Sequence, residues 1–375
     1  MIRYDAHCHL MNMGYVALEA REWLADKKRG QVRSVHQDCP DFPSDPIDSI
    51  GEFFKWVKGL AIAGFRSEEY HLKVLNQAAR KFWGNDAELR TVPLMMDIYF
   101  LFSPPVLAGQ WAPKLGERGS FWWRLWQKYF VTKTPYFDTP GFHRQRRQLE
   151  ILKKNNAQSL FPFFAVDPRR TGIIAEVCKG ELVGKDKPFR GVKLYPRLGV
   201  HPQAADLDDL YKWCVKTDTP IITHTDIIGF PTEKMENLFH MHYGSLGDPD
   251  LWAPILLKYP NLRIDFAHFG MSEPTWPAKI IRLMQQYPNV YSDLSCYTTR
   301  DVIVEFKRNY WDLFPIVQER TVFGTDYDVN IAVSKGLLLD EYFENFRDKG
   351  IASHNSFNEM DLQQLSNVNP FKFLP

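Results

Sequence analysis

The chain has 375 residues, 45% hydrophobic and 24% charged, the balance of a globular protein with one large domain or two ordinary ones. Its formal net charge of +1 provides no field for nucleic acid or an anionic membrane, and no apolar run approaches the roughly 20 residues that span a bilayer. Five scattered cysteines make no disulfide framework, and with no basic-then-apolar start the expected location is the cytoplasm.

The first predicted element is a strand holding Tyr4-Asp5-Ala6-His7-Cys8-His9. Residues two apart on a strand share a face, so His7 and His9 point one way and Cys8 the other. Two imidazoles on one face can close on a metal ion at the usual Zn–N distance of about 2.0–2.1 Å. Residues 10 to about 90 then leave any compact repeat. Helices are predicted over 49–64 and 67–84, the second capped by Ser67 and stopped by Gly84. The Pro-punctuated segment 38–43 reads as a loop over the mouth of a site.

A second strand is predicted over 91–99, apolar on both faces as parallel strands are, with Asp97 at its end. A second insertion follows. In it Phe121, Trp122, Trp123, Trp126, Tyr129 and Phe130 suggest a helix with an aromatic face. A packed lid, an oligomer contact and a cap that touches substrate all suit it. A helix over 140–155 comes next.

From there the pattern is regular. Strands are predicted over 159–166, 191–195, 220–224, 262–268, 290–295 and 321–326, with helices from about 171 and over 206–215, 248–259, 273–287 and 300–318. Helices over 333–348 and 358–365 close the chain. Eight strands, each followed by helix, predict the α/β class and a closed (β/α)8 TIM barrel. The expectation is a single domain over 1–375 with large insertions after strands 1 and 2, at about 10–90 and 101–157.

The C-terminal strand ends of such a barrel converge on one mouth. His7, His9, Lys193, His224, His268 and Asp326 sit at or within two residues of strand ends. Taken singly, His224 and His268 could be satisfied core histidines and Asp326 a turn cap. Lys193, inside an apolar strand, is costly to bury without a partner. The ordered set of six is what points to a site, and four imidazoles with a carboxylate suit zinc, with manganese or iron also compatible. Asp97, Arg169, Tyr195, Arg197 and Tyr327 lie at or just past strand ends as candidate substrate contacts. Arg197 could grip a substrate carboxylate with both arms of its guanidinium. Asp293 could support a ligand histidine. His201, His240 and His242 read as loop histidines.

The set resembles the amidohydrolase superfamily of metal-dependent TIM-barrel enzymes. DAHCH resembles its strand-one HxH, the histidines of ITHT and FAHFG resemble those of strands five and six, and the aspartate of GTDY resembles its strand-eight carboxylate. GVKLYP resembles a strand-four motif of the amidohydrolase-related branch, which includes hydrolases, lactonases and non-oxidative decarboxylases. The likeness runs through the strands from residue 1 to about 330 and says little about the two insertions. It implies one or two divalent ions held by His7, His9 and Asp326, with His224 and His268 binding a second metal or contacting the water at a one-metal site. It also implies that Asp326 takes a proton from that water. Lys193 would be a carbamate bridging two metals or a free ammonium beside the substrate, and sequence does not choose. The expected activity is hydrolysis of a small amide, ester or lactone; the alternative is decarboxylation of an aromatic or unsaturated acid. A deoxyribonuclease is disfavoured by the neutral charge and by a lysine on strand four, and a non-enzymatic scaffold by the complete motif set. The expected partners are a small-molecule substrate and further copies of the chain.

Overall fold

A computed structural model describes residues 1–10, 67–97, 99–102, 137–227, 229, 243–327, 339–347 and 356–374. The helix expected at 49–64, the loop at 38–43, the aromatic segment around Trp122, His240 and His242 lie outside the described residues. Two parallel sheets carry the strands. One pairs β1 (Ile2–Cys8) with β2 (Glu88–Pro93). The other joins β3 (Phe163–Ala165), β4 (Gly191–Leu194), β5 (Ile221–His224), β6 (Ile264–Ala267), β7 (Val290–Asp293) and β8 (Thr321–Val322) in sequence order. Parallel neighbours need a return crossover each time. Helices supply it: α1 (Glu68–Trp83), α2 (Pro140–Asn155), α3 (Ile173–Cys178), α4 (Asp208–Thr217), α5 (Ala253–Lys258), α6 (Trp276–Gln286), α7 (Arg300–Phe306) and α8 (Pro315–Arg320).

The ladder is not continuous around the ring, and backbone hydrogen bonds stitch the two seams. Between β8 and β1, Ala6 N donates to Phe323 O at 2.8 Å, Asp326 N to His7 O at 2.8 Å and His9 N to Tyr327 O at 2.6 Å. Between β2 and β3, Phe161 N donates to Thr91 O at 2.8 Å and Met95 N to Phe163 O at 3.0 Å. The fold is thus an α/β barrel whose strands run in the expected order.

Helix boundaries follow their local chemistry. Ser67 Oγ accepts from Tyr70 N at 3.2 Å at the start of α1, and Gly84 (φ 105°) ends it, as their residue types predict. The region expected as one helix over 300–318 is broken: α7 passes into a π-turn at Lys307–Trp311, and the chain restarts at Pro315. A proline has no N–H for a helix interior, which explains the break. Several strands stop short of their apolar runs because the backbone turns out of the ladder. His268 (φ 68°), Cys296 (φ 68°) and Asp326 (φ 49°) all adopt left-handed conformations just past strand ends.

Each strand divides its side chains between two apolar layers. Val192, Ile221, Ile264, Val290 and Phe323 face the helices, while Ala6, Leu94, Phe163, Ile222, Tyr291 and Val322 fill the barrel interior. In β1 the pairing register slips between Asp5 and Cys8. Tyr4 and Ala6 face inward before the slip; afterwards His7 and His9 reach the mouth and Cys8 joins the outer core. A bulge of this kind re-aims side chains next to active sites.

The last helices close the other end. After α9 (Leu339–Phe346), α10 (Glu359–Gln363) begins in a capping box of Asn358 and Asp361. Its continuation straddles the β8–β1 seam, with Phe323 N donating to Leu365 O at 3.0 Å and Arg3 Nη1 to Ser366 Oγ at 3.0 Å. α11 (Asn369–Phe373) then inserts Phe373 into the barrel floor, 5.3 Å from the Tyr291 ring and stacked on Phe163 at 6.3 Å. Among the described residues no helix is long and apolar enough to cross a membrane. Phe373 is fully buried in this plug, so Phe373→Ala should lower unfolding stability by about 3–5 kcal/mol. Urea denaturation monitored by circular dichroism measures this, and a loss below about 1 kcal/mol would mean that the floor relaxes around the cavity.

Candidate metal centre

The mouth is organised around a buried carboxylate at the end of β7. Asp293 Oδ2 lies 2.6 Å from His7 Nδ1, while Asp293 Oδ1 accepts from His268 N and Ser295 N, each at 3.0 Å. Burial by itself would raise the Asp293 pKa. The charge and hydrogen bond of His7, with His268 and Ser295 behind them, reverse this and hold it far below the usual carboxylate range. An ionised Asp293 accepts a hydrogen bond from His7 Nδ1–H, which leaves the other nitrogen, Nε2, to face the site.

His9 is fixed in the same way by the backbone. Its Nδ1 lies 3.0 Å from Leu94 O, so Nδ1 carries the hydrogen and Nε2 points inward. Both Nε2 atoms then face one carboxylate oxygen. Asp326 Oδ1 is 3.4 Å from His7 Nε2 and 3.2 Å from His9 Nε2. All three side chains are buried, and neither His7 Nε2 nor Asp326 Oδ1 makes a hydrogen bond among the described residues. Lone pairs facing one another in a water-poor site are unfavourable unless a cation lies between them. The donor set, two imidazole nitrogens and a carboxylate oxygen each oriented from behind, fits a divalent metal ion.

Asp326 is suited to this place electrostatically. Burial pushes its pKa up, but hydrogen bonds and positive charge on its His7 and His9 side outweigh that and keep it well below the usual range. Gly324 lets it come close: a Cβ there would lie 2.8 Å from His7 Cβ. His268 stands on the other side, its ring 4.9 Å from that of His7. Burial, then the neighbouring His7, drives its pKa down to about 4, so it is neutral at physiological pH. Its Nδ1 contacts Ser295 Oγ at 2.8 Å, and its Nε2 is 3.1 Å from His224 Nδ1. His224 stacks on Tyr195, with ring centres 4.3 Å apart.

Lys193 projects into the interior from β4, level with Ile222 of β5 and Asp265 of β6. Its Nζ is buried and has no hydrogen-bond partner among the described residues. Burial lowers its pKa to about 8, against the opposing pull of Asp293, Asp326 and Asp265. Asp265 is pushed well above the usual range by burial and by the charge of Asp293.

The weaker candidates divide. Tyr195 shares a small cavity with Lys193, Asp97, Met95 and Leu198 beside the mouth. Asp97 holds both arms of the Arg170 guanidinium, one of them at 2.8 Å, and Arg169 is tied to Asp167 at 2.6 Å and to Leu198 O at 2.9 Å. Both residues therefore brace the strand ends through buried ion pairs. Arg197 is buried on the turn after β4, against Gly244. Tyr327 holds His9 through its backbone and meets His71 Nδ1 through its hydroxyl at 3.1 Å. His201, expected in a loop, is buried there and accepts from Gln203 N at 3.0 Å.

The sequence reading missed Ser295 and Cys296. Ser295 Oγ lies 3.1 Å from His7 Nδ1, and Cys296 Sγ is 2.8 Å from Asp326 Oδ2. Asp226, just past β5, was missed too; it accepts from Ser272 Oγ at 3.0 Å. Only the position of Ser295 and Cys296 directly after the Asp293 strand end could have flagged them.

Gly229 lies close to His224 with φ 139°. A Cβ there would lie 2.9 Å from His224 Nε2 and 3.0 Å from the Tyr195 hydroxyl. Gly229→Ala should displace the His224–Tyr195 stack and cost about 1–3 kcal/mol of stability through its backbone. A crystal structure of the variant checks this: the His224 ring should move while the His7–Asp293 contact stays, and an unmoved stack would contradict it.

Comparison with known proteins sets the site in context. A family model described as amidohydrolase matches residues 126–331, over half of the chain. No curated protein sequence matches. Among solved structures, a 5-carboxyvanillate decarboxylase from Novosphingobium aromaticivorans, complexed with manganese and 4-hydroxy-3-methoxy-5-nitrobenzoic acid, is similar with a TM-score of 0.54 at 13% identity, covering 100% of this chain and 95% of that one. A 5-carboxyvanillate decarboxylase from Sphingomonas paucimobilis is similar with a TM-score of 0.52 at 8% identity, covering 100% and 98%. A candidate amidohydrolase from Staphylococcus aureus is similar with a TM-score of 0.50 at 12% identity, covering 100% and 99%. At such identities the structural likeness speaks for the barrel fold alone. The family model, matched across the later strands of that barrel, places the chain in the amidohydrolase family.

Proposed function

We propose that the protein is a metal-dependent hydrolase of a small organic substrate with an amide, ester or lactone bond, and that Asp326 is its general base. The observation that carries this reading is the convergence of His7 Nε2, His9 Nε2 and Asp326 Oδ1, with the second nitrogen of each histidine already committed. A divalent ion held there supplies Lewis acidity, polarising a carbonyl and lowering the pKa of water from about 15.7 to about 7. Zinc, manganese and iron all suit these donors, and the manganese of the similar decarboxylase supports a divalent ion in general.

The chain's own groups do the rest. Asp326, kept ionised, accepts the proton of the attacking water and returns it to the leaving group. His268, kept neutral, offers a lone pair to the same water or to a second ion. Asp293 stays ionised behind His7 and stabilises positive charge on the ligand side of the imidazole. Lys193, buried on β4, would serve as an ammonium beside developing negative charge or, as a carbamate, would help to hold a second ion. Tyr195 and Arg197, on the turn after β4, are the proposed substrate contacts.

A second reading is decarboxylation of an aromatic or unsaturated acid. What favours it is the pair of buried cations on and just after β4, Lys193 and Arg197. Such groups suit a carboxylate substrate. Lys193 Nζ has no hydrogen-bond partner among the described residues.

Two experiments test the hydrolase reading. Stripping divalent ions with a chelator should abolish turnover on a panel of amides, esters and lactones, and adding zinc or manganese back should restore it. Activity that survives in metal-free protein would refute the reading. Asp326→Asn should lower kcat by about 10²–10⁴-fold, and a loss smaller than about tenfold would remove Asp326 as the base. Carbon dioxide release from aromatic acids, with no hydrolysis across the panel, would move the assignment to the second reading.

A further inference from the structure

The two oxygens of Asp326 face different partners. Oδ1 faces His7 and His9, while Oδ2 accepts from the thiol of Cys296 at 2.8 Å. Asp326 therefore stands between two donor sets: His7, His9 and Asp326 on one side, and His268, Cys296 and Asp326 on the other, each with its ligand atoms within 4.8 Å of one another. We propose that Cys296 is a metal ligand, and that with His268 and Asp326 it forms a second cation position that takes a thiophilic divalent ion such as zinc. This deepens the metal-centre reading above and rests on it.

The local structure supports a built site. Cys296 follows Ser295, which Asp293 holds through its backbone N–H at 3.0 Å and through its hydroxyl. Ser295 Oγ in turn meets His268 Nδ1 at 2.8 Å, so one residue fixes both the imidazole and the turn that carries the thiol. With Nδ1 occupied, His268 turns Nε2 inward, where it lies 3.1 Å from His224 Nδ1. The backbone at Cys296 adopts φ 68°, which swings the thiol out of the strand direction and onto Asp326. As a residue Cys296 is only partly buried.

The chemistry of the donors sets the preference. Imidazole, thiolate and carboxylate together are zinc ligands. Thiolate favours softer ions, whereas magnesium, calcium and manganese prefer oxygen. Coordination breaks the S–H bond; the proton leaves to solvent, and the sulfur lone pair goes to the ion. The site's metal preference would then be set from β7, by a residue outside the HxH strand. If Cys296 has no part in coordination, its thiol is only a hydrogen-bond donor to Asp326.

The test uses the full chain and its Cys296→Ser and Cys296→Ala variants, loaded with Co²⁺ or Zn²⁺. The wild-type cobalt form should show a near-ultraviolet sulfur-to-cobalt charge-transfer band, and both variants should lose it while keeping the visible d–d absorption of the remaining ion. The zinc form should show a sulfur neighbour at about 2.3 Å by X-ray absorption, absent from the variants. Bound metal with no sulfur band and no sulfur neighbour would overturn the role of Cys296 and leave the metal centre standing. No bound metal in any form would overturn both. Should the variants fail to fold, the sulfur neighbour in the wild-type zinc form decides alone.

Discussion

The hydrogen bond between Asp293 and His7 organises the mouth of this barrel. A buried carboxylate at the end of β7 reaches across to β1, takes the Nδ1 hydrogen of His7 and so fixes which nitrogen faces the site. Its other oxygen takes the backbone N–H of His268 and of Ser295. One side chain thus sets the tautomer of one histidine, the backbone position of a second and the turn that carries Cys296. Its own ionisation is sustained by the same contacts, because without them burial would favour the protonated form. Removing it would disturb β1, β6 and β7 together.

The barrel separates its two tasks by end. Its floor is apolar and closed by Phe373 and Leu374 from the last helix, packed with Phe163, Ile222, Tyr291 and Val322. The mouth is polar, with imidazoles, carboxylates and one lysine buried within a few ångströms of each other. Burying so many ionisable groups is expensive. Buried pairs such as Asp97–Arg170 and Asp167–Arg169 brace the strand ends around them, and the guanidinium of Arg170 also lies 3.9 Å from the Phe142 ring centre. Asp97 and Arg169, expected at the substrate, thus take part in the rigid frame of the site.

The parts legible in the sequence were those written in residue type and period. His7 and His9 lie two apart on a strand, and both reach Asp326. His224, Lys193 and Asp326 end or interrupt short apolar runs, where a polar residue has little reason to be buried unless it serves a site. The helix opened by Ser67 and stopped by Gly84 was legible because cap chemistry is local. The parts that were not legible depend on contacts between distant segments. The register slip that turns His7 inward, the plug by Phe373 and the left-handed turn at Cys296 leave no periodic trace. Asp265 lies inside the strand predicted over 262–268, and only the register of β4, β5 and β6 sets it level with Lys193.

The central claim is that His7, His9 and Asp326 face one another because a cation belongs between them. Anomalous diffraction from crystals of the full chain grown with zinc or manganese tests it most directly. The account predicts an anomalous peak within bonding distance of His7 Nε2, His9 Nε2 and Asp326 Oδ1, with the His7–Asp293 contact kept. A fully ordered mouth without a peak, or with one of the two imidazoles flipped so that its Nδ1 faces Asp326, would contradict it.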